Sequence, residues 1–343
     1  MSAPFHQDSF VFEVTQRCQH DCPHCYNVWK GAAPYPRGEL DTAATLALLG
    51  RALDDTGAGL VSLSGGEPLL RPDLPALVDF LRARGVVVNL ITNGTLLDDA
   101  AVARLAGRVS IFELPLLAAD RAVHDELSGA AGAFDRVTAA MAALKLAGER
   151  VVGVFVATRR NLAGLRDALE LAVALGLDGV MLNRFNPGGR GRLHVAALQA
   201  SPAELGAALD VADAVAGEYE LPVSCSIPMP PCLFDTRRWP RLSFGFCAAG
   251  TARAYYTVDP LGNLRPCNHS PTILGNLREQ GFAALAASAA QRRFCAARPA
   301  FCGGCRLEER CLGGCKAAAE ACSGAIDAMD PFLAAYHETA VRP

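Results

Sequence analysis

Three cysteines stand within eight positions of one another near the start of the chain: Cys18, Cys22 and Cys25, in "RCQHDCPHCYNVW". Thiolates so spaced are metal ligands, and a closed tetrahedral cage needs a fourth donor. No other cysteine occurs before Cys225, so the loop leaves one corner of a four-sulfur cage unfilled. A second group crowds the C-terminal third, where ten of the 13 cysteines lie between Cys225 and Cys322. Cys247 is followed by Gly262, which precedes Cys267; then come Cys302-x2-Cys305-x5-Cys311-x3-Cys315 and finally Cys322. Disulfide scaffolds are short and secreted, with staples spread along the chain, which is not this pattern. The CxxC-like pairs alone would also suit a zinc ribbon, because thiolate sets do not by themselves separate zinc from iron-sulfur.

The rest of the chain must position these sulfurs. Its 343 residues, 51% apolar, supply a core large enough for one barrel-sized domain with an appendage. A net charge of −3 with mixed signs offers no basic stripe for nucleic acid and no polybasic patch for anionic lipid. No basic-then-apolar signal opens the sequence, and no apolar run is long enough to span a membrane, so a cytoplasmic protein is expected. Short β-type runs alternate with helical patterns: "SFVFEV", then "DTAATLALLGRALDDTG" with Asp41 as N-cap; "GLVSLSGGEP", "VVVNLITNG", "RVSIFELPLL", "RVVGVFVATRRN" and "GVMLNRFNPGGRG", each with a helix to follow. Six such units of roughly thirty residues predict parallel strands joined by right-handed crossovers, with the working face at the strands' C-terminal ends.

The first cysteine motif followed by Tyr26, "GGEP" at 65–68 after the second strand and "TNG" at 92–94 after the third resemble the radical S-adenosylmethionine (radical SAM) enzymes. The resemblance implies an α/β fold: a partial (β/α)6 TIM-like barrel, with a cysteine-rich extension that closes over it. It also accounts for the missing sulfur. Cys18, Cys22 and Cys25 would hold a [4Fe-4S] cluster whose fourth iron is left to S-adenosylmethionine. Reductive cleavage would give a 5′-deoxyadenosyl radical that abstracts hydrogen from a substrate. By the same resemblance Gly65, Gly66 and Glu67 bind the methionine end, and Asn93 and Arg184 contact other parts of the cofactor; Arg184 is equally readable as a surface or substrate-facing cation.

The later cysteine series resembles the SPASM extension of these enzymes, which carries two auxiliary iron-sulfur clusters, making three in all. The resemblance assigns Cys247, Cys267 and Cys315 to the first auxiliary cluster, with Cys232 as the favoured fourth ligand over Cys225 and Cys295, or else an open iron. It assigns Cys302, Cys305, Cys311 and Cys322 to the second. Cys225 and Cys295 otherwise read as small buried hydrophobes. Two departures stand out. The final cysteine of relatives often follows an Asp-Pro pair, whereas "DAMDPFL" has Phe332 and Leu333 there. A polar Ser-Leu-Asp-Gly turn after the fourth strand is replaced by "FELPLLAADRAVHDELSG", where His124, read as a structural cap, and Asp125 remain.

The resemblance implies a redox-active enzyme acting on a ribosomally synthesised peptide by cross-linking, decarboxylation or epimerisation. A tetrapyrrole or other small metabolite is the alternative substrate, and an iron-sulfur or zinc binding scaffold the non-enzymatic alternative. Asn268 stands where sulfatase-maturating relatives carry Asp, which speaks against that activity. The first strand begins so early that no separate leader-binding domain is expected, leaving leader recognition to a separate small protein or to the barrel. A flavodoxin or ferredoxin would donate the electron. The barrel is expected over residues 1–220 and the auxiliary-cluster domain over 221–343. "FNPGGRG" reads either as a Gly-rich loop that aims Arg190 and Arg192 at an anionic group or as a plain turn.

Overall fold

The computed structural model describes residues 5–31 and 35–340. Six strands, β1 (Ser9–Thr15), β2 (Leu60–Gly65), β3 (Val87–Ile91), β4 (Ile111–Pro115), β5 (Val151–Ala157) and β6 (Gly179–Arg184), pair in chain order, all in parallel. Helices α1 (Thr42–Thr56), α2 (Leu74–Ala83), α3 (Asp99–Leu105), α4 (Arg121–Ser128), α5 (Ala133–Leu146) and α6 (Leu165–Ala174) lie in the crossovers, and α7 (Val195–Leu198) and α8 (Pro202–Tyr219) follow β6. This is the partial (β/α)6 barrel expected. Asp41 caps α1 by accepting from the Ala44 N–H at 2.8 Å, and Ser201 and Glu204 form a reciprocal capping box on α8. Helix α4 forms because Asp120 accepts from the Val123 N–H at its start and Gly129, at φ 61, ends it.

Side chains alternate along each strand. Phe10, Phe12 and Val14 on β1, Val61 and Leu63 on β2, Val88 and Leu90 on β3, and Phe112 and Leu114 on β4 join the apolar core with the helices. Residues of the opposite parity include Glu13, Ser62, Ser64, Asn89, Glu113 and Asn183 beside Val11, Val152, Val154, Val156 and Met181, so the inner face of the barrel sets polar groups among apolar ones. A parallel sheet covered on both sides ordinarily reads as continuous apolar runs. The polar members of this parity suit an interior that receives a ligand with polar groups.

The chain beyond residue 220 extends this sheet at both edges. β7 (Val223–Cys225) pairs with β6 and β8 (Leu242–Phe244) with β7, both in parallel. At the other edge β9 (Thr257–Val258) lies parallel to β1, followed by antiparallel β10 (Asn263–Arg265) and β11 (Gly275–Asn276). Arg265 pairs with Glu13 in the interior, and Tyr35 donates to Asp259 at 2.9 Å. Short helices α9 (Phe282–Ala286), α10 (Ala289–Ala296), α11 (Glu308–Cys311), α12 (Lys316–Ser323) and α13 (Pro331–Tyr336) complete the chain, with Cys295, Cys311 and Cys322 in α10, α11 and α12 and the other C-terminal cysteines outside them. Among the described residues no helix is long and apolar enough to cross a membrane.

Candidate active site

The first cysteine loop leaves the C-terminal end of β1 and is gripped by three neighbouring loops. Gly66 N–H donates to Thr15 O at 2.8 Å and Glu67 N–H to Arg17 O at 2.7 Å. Asn27 donates its side-chain amide to Gly65 O at 2.8 Å, and Gln19 and His20 both meet Thr95 at 3.0 Å. From the far side Gly191 N–H donates to Cys25 O at 2.9 Å. A Cβ on Gly189 would lie 2.2 Å from Asn27 O, so the glycines after β6 are there to let the two backbones meet. Arg190 is turned onto Asp21 at 2.6 Å and Arg192 onto Gly31 O at 2.8 Å, so both cations brace the cysteine loop.

Gly65, Gly66 and Glu67 lie at this junction. The Glu67 carboxylate is fully buried and accepts from Thr92 Oγ1 at 2.6 Å, Asn93 N–H at 2.7 Å and Leu69 N–H at 3.0 Å. It ties "GGEP" to "TNG". Burial pushes its pKa up, against the pull of those three donors. Asn93 reaches Gln19, with its amide nitrogen 4.0 Å from Cys18 Sγ, so it borders the thiol group. A Cβ on Gly66 would sit 2.0 Å from the Arg17 carbonyl oxygen. Gly66→Ala therefore displaces the cysteine loop and destabilises the protein by about 1–3 kcal/mol or more, read by denaturant titration. Gly59→Ala, whose Cβ meets nothing within 4 Å, leaves stability nearly unchanged.

Cys18, Cys22 and Cys25 are mutual electrostatic neighbours, and burial raises the pKa of Cys22 and Cys25. Buried thiols of this kind stay protonated at neutral pH unless a metal takes the proton's place. Asn89 Oδ1, Asn186 Oδ1 and Arg184 Nη1, at or beyond the ends of the strands, are among the buried polar atoms with no partner among the described residues. Polar atoms left so are open to a bound group. Three sulfurs, a neighbouring amide and these orphaned atoms fit a cluster bearing a polar, zwitterionic cofactor.

Arg184 is placed differently from a free cofactor contact. Its side chain is 1% exposed and ion-paired with Asp330, and its Nε donates to Pro228 O at 2.8 Å. The same Asp330 oxygen accepts from the Cys315 N–H at 2.9 Å, which joins the barrel to the extension. His124 is buried, 3.3 Å from Ser128 Oγ and 3.4 Å from Pro115 O, in a structural setting.

Two further features emerge only with the fold in view. Tyr26, directly after Cys25, stacks on His269 with ring centroids 4.1 Å apart, and Asn186 contacts both His269, at 3.2 Å, and Cys315 Sγ, at 3.3 Å. Burial lowers His269 to about 3 and raises Tyr26 to about 12, so both are neutral links between the two thiol groups. Glu113, on the inner face of β4, is pushed up to about 7 by burial alone. A carboxylate alternating with core residues was the available signal.

Cys247, Cys267 and Cys315 come together, and burial pushes Cys267 up to about 12 and Cys315 up to about 11. Cys302, Cys305 and Cys311 form a separate group, and the thiol beside them is Cys232 rather than Cys322. Among the described residues no three His, Cys, Asp or Glu side chains converge closely enough for a single metal ion. These four thiols instead line a cavity together with Pro231 and Leu333. Cys322 is exposed, with Asp330 and Arg192 as its charged neighbours. Cys225 is buried on β7, and Cys295 accepts from Gln291 at 3.3 Å.

The sequence pattern of the radical SAM superfamily matches residues 12–172, and that of an iron-sulfur cluster-binding domain, SPASM, matches residues 247–311. The PqqA peptide cyclase of Xanthomonas axonopodis pv. citri is 30% identical over 331 residues, covering 94% of this chain and 86% of that protein. That of Methylocella silvestris is 30% identical over 329 residues, covering 93% and 85%. Streptococcus suis SuiB bound to S-adenosylmethionine has a similar fold, with a TM-score of 0.74 at 16% identity over 94% of this chain and 76% of that one. Native anSMEcpe with bound AdoMet gives 0.73 at 16% identity over 96% and 95%. Kinship along nearly the whole length, with the cysteine loop at the barrel mouth, makes this protein a member of the radical SAM superfamily with a C-terminal SPASM domain.

Proposed function

We propose that this radical SAM enzyme cross-links a ribosomally synthesised peptide. The observation that carries the reading is the similarity over 94% of the chain to PqqA peptide cyclases. The fold shared with SuiB, which has been crystallised with its precursor peptide SuiA, is in keeping with it. When bound, the first cluster and S-adenosylmethionine supply the 5′-deoxyadenosyl radical. Cys18, Cys22 and Cys25 hold the cluster, the Gly65–Glu67 turn and Asn93 shape the cofactor's seat, and the inner face, with its mixed polar and apolar side chains, receives the peptide. Arg184 acts on the cofactor or substrate through its free Nη1. The extension, over about residues 221–343, holds two auxiliary clusters as electron conduit or acceptor and shields the barrel of residues 1–220 from water. A flavodoxin or ferredoxin supplies the electron, a separate small protein presents the leader, and the reaction takes place in the cytoplasm. The test is anaerobic reaction of the reconstituted enzyme with short peptides encoded beside it. Formation of 5′-deoxyadenosine together with a peptide lighter by two hydrogens is expected. 5′-Deoxyadenosine with no change in any peptide, but turnover of a tetrapyrrole, overturns the substrate.

Glu113 is a buried carboxyl of this interior that titrates near neutral pH. At about 7 its pKa lies above the ordinary 4.5, so the folded chain keeps a proton that the unfolded chain loses between those values. Stability falls as pH rises through that window, because the native state binds more protons there. Glu113→Gln lessens this fall in a denaturation series, and Glu13, which burial also raises to about 7, keeps the rest. The substitution also removes an inflection near neutral pH from the rate profile of peptide modification.

A further inference from the structure

Four thiols on two separate segments surround one cavity. Cys302 and Cys305 are joined by a turn in which Cys305 N–H donates to Cys302 O at 3.1 Å. Cys311 ends α11, and the next three residues, Leu312, Gly313 and Gly314, all take positive φ, at 59°, 81° and 82°. That run folds the chain back sharply, and Leu312 adopts the left-handed region despite its side chain. The opposite wall is a tight turn after β7, in which Leu233 and Phe234 N–H groups both donate to Pro230 O, at 2.9 and 3.0 Å. It turns Cys232 onto the cavity lined by Cys302, Cys305 and Cys311. Leu333, two residues beyond the Asp330–Pro331 pair, lines the same cavity and is 2% exposed. A side chain with no donor atom thus fills the place from which a downstream residue could have reached in.

We infer that Cys232 is the fourth thiolate of the cluster held by Cys302, Cys305 and Cys311, and that Cys322 is not a ligand of it. This rests on the reading that the extension binds iron-sulfur clusters. The ligand is supplied from between β7 and β8, on the barrel side, so the cluster fastens the extension to the sheet edge. Cys247, Cys267 and Cys315 are left as a set of three beside Asn186. Exchanging the downstream ligand for an upstream one keeps four sulfurs around one cavity and explains why "DAMDPFL" tolerates Leu333.

The experiment compares iron and labile sulfide per chain, with Mössbauer spectra, in anaerobically reconstituted wild type and in Cys232→Ala, Cys311→Ala and Cys322→Ala. Cys232→Ala and Cys311→Ala are each expected to lose the spectrum of one four-thiolate cluster, about a third of the iron if three clusters are present. Cys322→Ala keeps the wild-type content. Adding Leu333→Cys to Cys232→Ala restores the lost iron, which separates a ligand role from a folding defect. Loss of a cluster in Cys322→Ala with retention in Cys232→Ala overturns the assignment. Should Cys311→Ala also leave iron and sulfide unchanged, the failure lies instead with the reading of the extension as a cluster domain.

Discussion

Chains in which Cys18, Cys22 and Cys25 are all replaced by alanine bind about four fewer irons and form no 5′-deoxyadenosine, a loss of more than about 1000-fold. The expectation is this large because the protein has no other means of making the radical; the hard chemistry belongs to the cofactor pair, and the chain contributes seat and orientation. The fold survives. The loop is held by backbone bonds from Gly66, Glu67 and Gly191, and its Cys22 thiol adds a contact to main chain, with Ser128 O at 3.1 Å. Circular dichroism should therefore match wild type, and the auxiliary iron should remain. Retained cleavage of S-adenosylmethionine in the triple variant would remove the basis for the site.

Asp330→Ala is expected to destabilise the protein by about 3–5 kcal/mol, because it strands the buried Arg184 guanidinium. The partners are 1% and 0% exposed, and Asp330 also accepts from the Cys315 and Phe332 N–H groups, each at 2.9 Å. One carboxylate thus satisfies a charge on β6 and two amides at the start of α12 and α13. Replacing both partners with apolar residues, Arg184→Met with Asp330→Leu, removes the charge as well as its counterion and recovers much of the loss in denaturant titrations. A single variant as stable as wild type would show the pair to be dispensable.

The barrel was legible because its signals are local. Period-2 runs such as "SFVFEV", caps such as Asp41 and glycine turns after each strand report on a few neighbouring residues. Helix α4 was less legible because its eight residues give little periodicity, although Asp120 and Gly129 are ordinary cap residues. The extension was legible in its cysteine spacing but not in its pairings. Which sulfur joins Cys302 depends on contacts across some seventy residues of chain, and nothing near Cys232 records them. Arg184 was singled out for its place at a strand end. Its partner, Asp330, lies 146 residues away and carries no local mark.

Strand β1 is made first, yet one of its two neighbours, β9, is made almost last: Val11 pairs with Thr257. At ~5–20 residues per second, the ribosome needs on the order of 10–50 s to deliver the roughly 250 residues between them. Throughout that interval the apolar run "SFVFEV" presents unpaired amides and carbonyls along one side, a template for other nascent chains. Yield in a heterologous host should therefore depend on chaperone supply and growth temperature before it depends on iron, and any truncation ending short of Thr257 should aggregate.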